Sequence, residues 1–319
     1  MTDHWGRQAT YLRVSLTQEC QLACAYCRGA GPVAPGGEPL TTEELLSLVG
    51  ELVSICGIEK IRLTGGEPLL HPHVVEVATR LKRLPSVGYL GITTNGLRLS
   101  ELAKDLRRAG VDGVNLSLDS LRPETYRRLT GGGSLKEALA GLEAARRYDW
   151  RVKVNTVLLD GENDGEVLDF VRLVEGTAVE LRFIEVMPTA DGGHAPGEGL
   201  VTSERVRAIL EEAYQLQPLP RAPGSAARLF RARRDGCTAT VGLISSITDR
   251  FCGDCNRLRL TAEGELVACL WAGVAADLRP YVRPRWHPDG LRRAVEEVVA
   301  AKPLRHEPTV VADMLRIGG

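Results

Sequence analysis

From residue 11 to residue 187 the chain alternates two hydrophobic periods. Short β-branched and aliphatic runs at 11–16, 60–63, 89–93, 113–117, 152–157 and 179–184 read as strands. Between them, apolar positions return every three to four residues, the period of a helix lying on a core. The clearest case follows the first strand. Thr41 and Glu44 form a capping box, and Leu45, Leu48, Val49, Leu52 and Cys56 then fall on one stripe. Ser134 and Glu137 form a second capping box ahead of Leu139 and Leu142. Six such units predict an α/β fold: a parallel sheet with crossover helices, flat or curled into a partial (βα)6 TIM-like barrel, since a closed barrel needs eight.

The stretch 188–199, PTADGGHAPGEG, interrupts this rhythm and marks the predicted boundary between a barrel domain, 1–195, and a smaller C-terminal α+β domain, 196–319. The second part carries a helix near 203–214, a loop at 217–225, strands at 238–243, 257–261 and 266–270, and a charged amphipathic helix at 289–301. Ile317, Gly318 and Gly319 are expected to form a flexible tail.

Composition narrows the class. The chain has 319 residues, about two domains' worth. Forty Lys and Arg face 41 Asp and Glu, which excludes a broad nucleic-acid or polybasic membrane surface but not a local basic pocket. No apolar run reaches membrane-spanning length, and the first residues, MTDHWGRQAT, hold no apolar signal core, so a cytoplasmic protein is expected. There, eight cysteines are candidates for metal binding or catalysis rather than disulfides.

Six of the cysteines fall into two groups. Cys20-x3-Cys24-x2-Cys27 sits just after the first strand. Three thiolates in eight residues suit three irons of a [4Fe–4S] cube and leave the fourth iron open. That iron can chelate S-adenosylmethionine, and the reduced cluster can pass an electron to its sulfonium. A zinc knuckle would need a fourth ligand, and no His or Cys follows before Cys56, which lies on a helical apolar stripe. The second group, Cys252-x2-Cys255-x13-Cys269, fits zinc or iron–sulfur equally on spacing alone, because Cys237 offers a fourth thiolate. Between these cysteines, Arg257 and Arg259 share one side of a strand, an arrangement useful to a bound anion and useless to a structural zinc.

Strand parity sorts the remaining charges. Arg13, Lys60, Arg62, Lys153 and Arg182 all alternate with apolar residues that must meet the helices, so they point into the barrel. Buried cations are costly without partners. They imply either a bound polyanion, most simply a polyphosphate, or internal salt bridges to Glu67, Asp119 or Glu185. No Walker A loop is present, so side chains would grip such a phosphate. Thr64-Gly65-Gly66-Glu67-Pro68 and Thr93-Thr94-Asn95-Gly96 end the second and third strands, at the rim where such folds place chemistry. The glycines would let backbone approach a ligand, and Glu67 could accept a hydrogen bond from an ammonium. His4, His71 and His194 read as ordinary loop histidines.

The Cys20–Cys24–Cys27 loop followed by Gly-Gly-Glu-Pro resembles the radical S-adenosylmethionine superfamily. Leu12-Arg13-Val14-Ser15, Ile61-Arg62-Leu63-Thr64, Asn115-Leu116-Ser117-Leu118-Asp119, Arg182-Phe183-Ile184-Glu185-Val186-Met187, Cys255-Asn256-Arg257-Leu258-Arg259 and the closing Gly318-Gly319 make the chain similar to the GTP 3',8-cyclase family of molybdenum cofactor biosynthesis over nearly its whole length. That resemblance implies two [4Fe–4S] clusters, one held by Cys20, Cys24 and Cys27 and one by Cys252, Cys255 and Cys269. It implies S-adenosylmethionine bound by Tyr26, Gly65, Gly66, Glu67, Ser117 and Met187. It implies GTP contacts from Arg13, Lys60, Arg62, Thr93, Lys153, Arg182, Arg257 and Arg259, with Gly318 and Gly319 reaching into the active site. The family reaction takes a hydrogen from C3' of GTP and joins that carbon to C8. A flavodoxin- or ferredoxin-like reductant, a downstream cyclic pyranopterin monophosphate synthase and a homodimer are implied in the same way. The family pattern is altered at Gln18, Glu19, Gln21, Arg28 and His71, and none of these changes removes a ligand. The rival readings are a peptide-modifying radical enzyme with one auxiliary cluster, a silent paralogue, and a zinc-ribbon binding protein.

Overall fold

The computed structural model describes residues 1–27, 37–189, 198–273, 275–307 and 314–318. Six βα units come first. Strands β1 (Tyr11–Ser15), β2 (Lys60–Thr64), β3 (Tyr89–Thr94), β4 (Gly113–Ser117), β5 (Arg151–Leu158) and β6 (Glu180–Glu185) pair in parallel in chain order. Helices α1 (Thr42–Cys56), α2 (Val74–Lys82), α3 (Leu99–Arg108), α4 (Pro123–Leu129), α5 (Leu135–Arg147), α6 (Val167–Val174) and α7 (Ser203–Ala213) follow them. The predicted partial barrel is therefore present.

Helix α1 shows why the pattern folds this way. Thr41 accepts from the Glu44 amide while the Glu44 carboxylate takes the Thr41 amide, completing the capping box. Leu48, Val49 and Leu52 are fully buried against the sheet, each worth about 1.5–3 kcal/mol of burial. Gly57 ends the helix in the left-handed region, at φ 71°. Cys56 is buried beneath, and burial pushes its thiol up to about 11, as befits a core residue. The second predicted box is one-sided: Ser134 caps α5 by accepting from Glu137, with no reciprocal bond among the described residues.

Strands of the second half join both edges of this parallel sheet. Strand β9 (Cys237–Ile244) pairs parallel to β6 and extends through the antiparallel β8 (Arg228–Arg234) and β7 (Gln215–Pro218). Strand β10 (Arg257–Leu260) pairs parallel to β1 and extends through β11 (Glu265–Val267) and β12 (Ala276–Asp277). The result is one sheet of 12 strands, with helices α8 (Pro288–Ala300) and α9 (Met314–Ile317) after it. Strand β7 runs into the predicted loop at 217–225, and β8 and β12 have no counterpart in the sequence reading.

The two edges do not pair as strands. The loop 219–227, which follows β7, instead reaches the turn before β10 and its first residue. Arg221 and the Gly224 amide bind the Asp254 carboxylate, and Arg257 donates to the Gly224 carbonyl at 2.6 Å. Gly224 is required there: it sits at φ 69°, and a Cβ would lie 2.7 Å from Asn256 Oδ1. Among the described residues no helix is long and apolar enough to cross a membrane.

Candidate functional site

The sheet register turns the parity argument into a surface. Parallel partners share a face. Arg257 pairs with Tyr11, Tyr11 with Lys60, and Lys60 with Tyr89. Arg259 pairs with Arg13 and Arg13 with Arg62, while Thr93, Asn115 and Lys153 form a third row. Asn155 pairs with Arg182 in a fourth. Seven of the eight expected GTP contacts are these cations, and the structure brings them onto one concave face with Thr93.

Their partners differ from those foreseen. Glu67, Asp119 and Glu185 are all engaged elsewhere. Glu67 accepts from the Leu69 and Asn95 amides and from Thr94. Asp119 accepts from Tyr26 and the Val157 amide. Glu185 receives Ser203, Ile247 and Thr248. Lys153 and Arg182 are instead bound by Glu180, Lys153 at 3.1 Å. Two tyrosines complete the lattice. Arg62 donates to the Tyr11 hydroxyl at 2.8 Å, and the Lys60 ammonium stands 4.7 Å from the Tyr11 ring and 4.9 Å from the Tyr89 ring.

The face is electrostatically unbalanced. Burial, then the neighbouring Arg62 and Arg257 working against Tyr11, holds Arg13 down to about 10. Burial with Arg13 and Arg257 holds Arg259 to about 9. Burial and Arg182, opposed by Glu180, bring Lys153 to about 8. Burial alone would raise Tyr11, yet the surrounding Arg62, Arg13, Lys60 and Arg257 bring it down to about 7. Beside these cations, Thr93 Oγ1, Asn115 Oδ1 and Asn155 Oδ1 are buried without a hydrogen-bond partner among the described residues. Orphaned polar atoms are costly. A polar, anionic ligand fits both the charge and the unmet hydrogen bonds.

The first cysteine loop lies past the C-terminal end of β1. Cys20, Cys24 and Cys27 are half-exposed by residue, yet the Cys24 thiol is desolvated and raised well above its usual range by burial, then by Asp119, Cys27 and Cys20. The charges of Cys20 and Cys27 are thus felt at Cys24. The end of α4 holds the loop, with the Ala23 amide on Thr130 and the Ala25 amide on Leu129. Gly65 and Gly66 make this packing possible: the Gly66 amide bonds the Thr17 carbonyl, and a Gly66 Cβ would sit 2.4 Å from the Glu19 carbonyl oxygen. Glu67 is buried and pushed up to about 7 by that burial, against its three donors. Met187 packs against the cluster that holds Ile317, while Ser117 lies on the inner face beside Asn155. Of the altered positions, Gln18 donates to Glu263 at 2.6 Å and Gln21 reaches Asn95.

The second group lies at the other end of β1, about 15 Å away by strand rise. Cys252 and Cys255 precede β10, and Cys269 follows β11. Burial tends to raise the Cys255 thiol, but Lys302 and Arg257 bring it below its usual range, and Arg257 reaches its sulfur at 3.7 Å. Cys269 is raised by burial and by Cys255 and Cys252. His306 Nδ1 lies 3.2 Å from Cys252 Sγ, under a stacked Trp271. Cys237, the fourth zinc ligand that the sequence offered, is exposed at the start of β9, on the opposite edge of the sheet. Among the described residues no three His, Cys, Asp or Glu side chains converge as they would on one metal ion. A cube spreads its cysteines wider, and three cysteines in a cation-rich pocket suit its anionic thiolate set.

Gly318 docks between these ends. Its carbonyl accepts from Arg259, and Ile317 is buried against Val267. Gly319 and Arg28 lie outside the described residues.

Residues 14–174 match the family model of the Radical SAM superfamily, and residues 179–308 that of Molybdenum Cofactor Synthesis C. The chain is 40% identical over 315 residues to the GTP 3',8-cyclase of Geobacter sulfurreducens, covering 96% of this chain and 94% of that one. It is 37% identical over 310 residues to the human Molybdenum cofactor biosynthesis protein 1, covering 96% of this chain and 48% of that protein. The chain thus spans about half the length of the animal relatives it matches. A crystal structure of Streptococcus suis SuiB bound to its precursor peptide SuiA aligns with a TM-score of 0.60 at 13% identity, covering 89% of this chain and 67% of that one. At that identity the likeness concerns the fold.

Proposed function

We propose, because this chain belongs to the GTP 3',8-cyclase family of the radical SAM superfamily, that it converts GTP to 3',8-cyclo-7,8-dihydroguanosine triphosphate, the first step of molybdopterin biosynthesis. Membership of that superfamily implies a [4Fe–4S] cluster and S-adenosylmethionine. The observation that carries the substrate is the inner face itself: strand-borne cations gathered in adjoining rows, Glu180 the carboxylate bound to two of them, next to three orphaned polar atoms.

In this reading Cys20, Cys24 and Cys27 hold the first cluster, and Tyr26, Gly65, Gly66, Glu67, Ser117 and Met187 hold S-adenosylmethionine. Cys252, Cys255 and Cys269 would hold a second [4Fe–4S] cluster, which would supply a binding site for the purine. When bound, the first cluster and S-adenosylmethionine would supply the one-electron chemistry that acts on the C3' hydrogen. The chain's residues do the rest. Lys60, Arg62, Lys153 and Arg182 neutralise the triphosphate, and Arg13 and Thr93 fix its ribose end. Arg257 and Arg259 orient the base, and Arg259 also holds Gly318 over the cavity. Fixing the nucleotide at both ends limits its freedom at C3'. Gly318, docked on Arg259, keeps water from the reacting carbon.

Residues 1–195 then make the radical and residues 196–319 hold the base, in the cytoplasm, with a flavodoxin- or ferredoxin-like reductant, a downstream pyranopterin synthase and a second copy of the chain as partners. The test is anaerobic turnover with GTP deuterated at C3'. Mass spectrometry should find deuterium in the 5'-deoxyadenosine. Unlabelled 5'-deoxyadenosine from protein saturated with GTP would overturn the assigned position.

A further inference from the structure

Lys302, just past α8, is only 4% exposed. Its ammonium donates to the carbonyls of Arg257 and, at 2.9 Å, Ala268. Two carbonyls satisfy two of its three donors but leave its charge. Among the described residues no carboxylate faces it. The groups that act on it are the sulfurs of Cys255 and Cys269 on one side and the cations Arg7 and Arg257 on the other. Arg7 brings no spare anion, since its Asp3 is bound to it at 2.6 Å and its other nitrogens bond the carbonyls of Cys252 and of residues 302–304. A buried ammonium in cationic company is expensive unless a counter-charge arrives.

The two bonds also have a geometric effect. Arg257 is two residues past Cys255, and Ala268 immediately precedes Cys269. One side chain therefore ties the strand after the Cys252–Cys255 turn to the approach of the third cysteine.

We propose that Lys302 is the built-in counter-charge and clamp of the second cysteine site, a positioning residue that offsets the negative charge of a thiolate-ligated cluster and holds Cys269 in place. This rests on the reading that these cysteines bind a cluster. Three thiolates around a [4Fe–4S] core give a net negative charge that grows on reduction. A fixed cation beside it therefore favours the reduced form and slows loss of iron.

The experiment uses the full chain with Cys20, Cys24 and Cys27 changed to Ala, reconstituted anaerobically, so that only the second site reports. Iron and sulfide content, the rate of iron loss to a chelator and the midpoint potential of the EPR signal are compared for Lys302, Lys302→Met, Lys302→Gln and Lys302→Arg. Lys302→Met is expected to lose iron at least about tenfold faster and to show a more negative potential, with Lys302→Arg recovering most of the potential. Lys302→Gln keeps a hydrogen-bond donor without the charge, so its potential should follow the Met variant. The first-cluster EPR signal in the otherwise unaltered chain, unchanged by Lys302→Met, verifies the fold. Unaltered iron loss and potential in the Met and Gln variants would overturn the proposal while leaving the cluster assignment intact. Absence of any cluster when Lys302 is present would overturn the cluster assignment itself, and the proposal with it.

Discussion

The loop of Cys20, Cys24 and Cys27 has a buried acid beside it, whereas Cys252, Cys255 and Cys269 have cations beside them. Around the first, buried Asp119 and Glu67 stand with the Tyr26 hydroxyl, and the Cys24 thiol is held well above its usual range. Around the second, Lys302, Arg257 and Arg7 hold the Cys255 thiol below its usual range in spite of burial. Cys24 and Cys255, one from each group, thus feel opposite charges. An acidic site favours a cationic ligand such as a sulfonium with its ammonium; a basic site favours an anionic nucleotide. Strand β1 links the two, and the cationic inner face fills the space between them.

The largest expected effects split the sites. Cys24→Ala should abolish 5'-deoxyadenosine formation altogether. Cys255→Ala should leave reductive cleavage of S-adenosylmethionine detectable while abolishing cyclised product, as read by liquid chromatography. Equal loss of both activities in the two variants would erase the division of labour.

Next come the cations of the inner face. Arg62→Leu removes a buried guanidinium along with its Tyr11 bond. At about 1.5–3 kcal/mol for a charge-assisted contact, GTP affinity should weaken by about 10- to 150-fold. S-adenosylmethionine affinity, measured by calorimetry on the same variant, should stay unchanged.

Opposite fields also predict opposite pH responses. Lys153 titrates near 8 because of burial and Arg182, against Glu180. Its charged form is present below that pH and is lost as pH rises through it, so GTP affinity should fall by roughly fivefold to tenfold between pH 7.5 and 9. Glu67 titrates near 7 because of burial. Its carboxylate is lost as pH falls through that value, so S-adenosylmethionine affinity should weaken from pH 7 to pH 6. Lys153→Arg should flatten the first profile and leave the second.

The smallest effect concerns the tail. Gly318 sits at φ 72°, and a Cβ would lie 2.4 Å from Thr64 Oγ1. Gly318→Ala should cost about 1–2 kcal/mol of docking, and product formation should fall about fivefold or more with S-adenosylmethionine binding intact.

Much of this contrast was readable in sequence, for a physical reason. Alternation along a strand places Arg13, Arg62 and Lys153 without any knowledge of the fold, and cysteine spacing is local. Tyr11 and Tyr89 were harder, because an aromatic on the inner face looks like core until a cation is seen over its ring. Glu180 sits two residues before Arg182 and opposite Lys153, so the same parity argument could have found it as their partner. Lys302 and Arg7 carried no usable signal, since they bond backbone carbonyls far away in sequence. Nor does periodicity say that β9 and β10 join opposite edges of the sheet, which is decided by pairing between distant segments.

The most direct measurement is anaerobic EPR on two reduced variants, one lacking the first three cysteines and one lacking the second three. GTP should alter the signal only where Cys252, Cys255 and Cys269 remain, and S-adenosylmethionine only where Cys20, Cys24 and Cys27 remain. A GTP response from the first site, or none from the second, would contradict this division of roles.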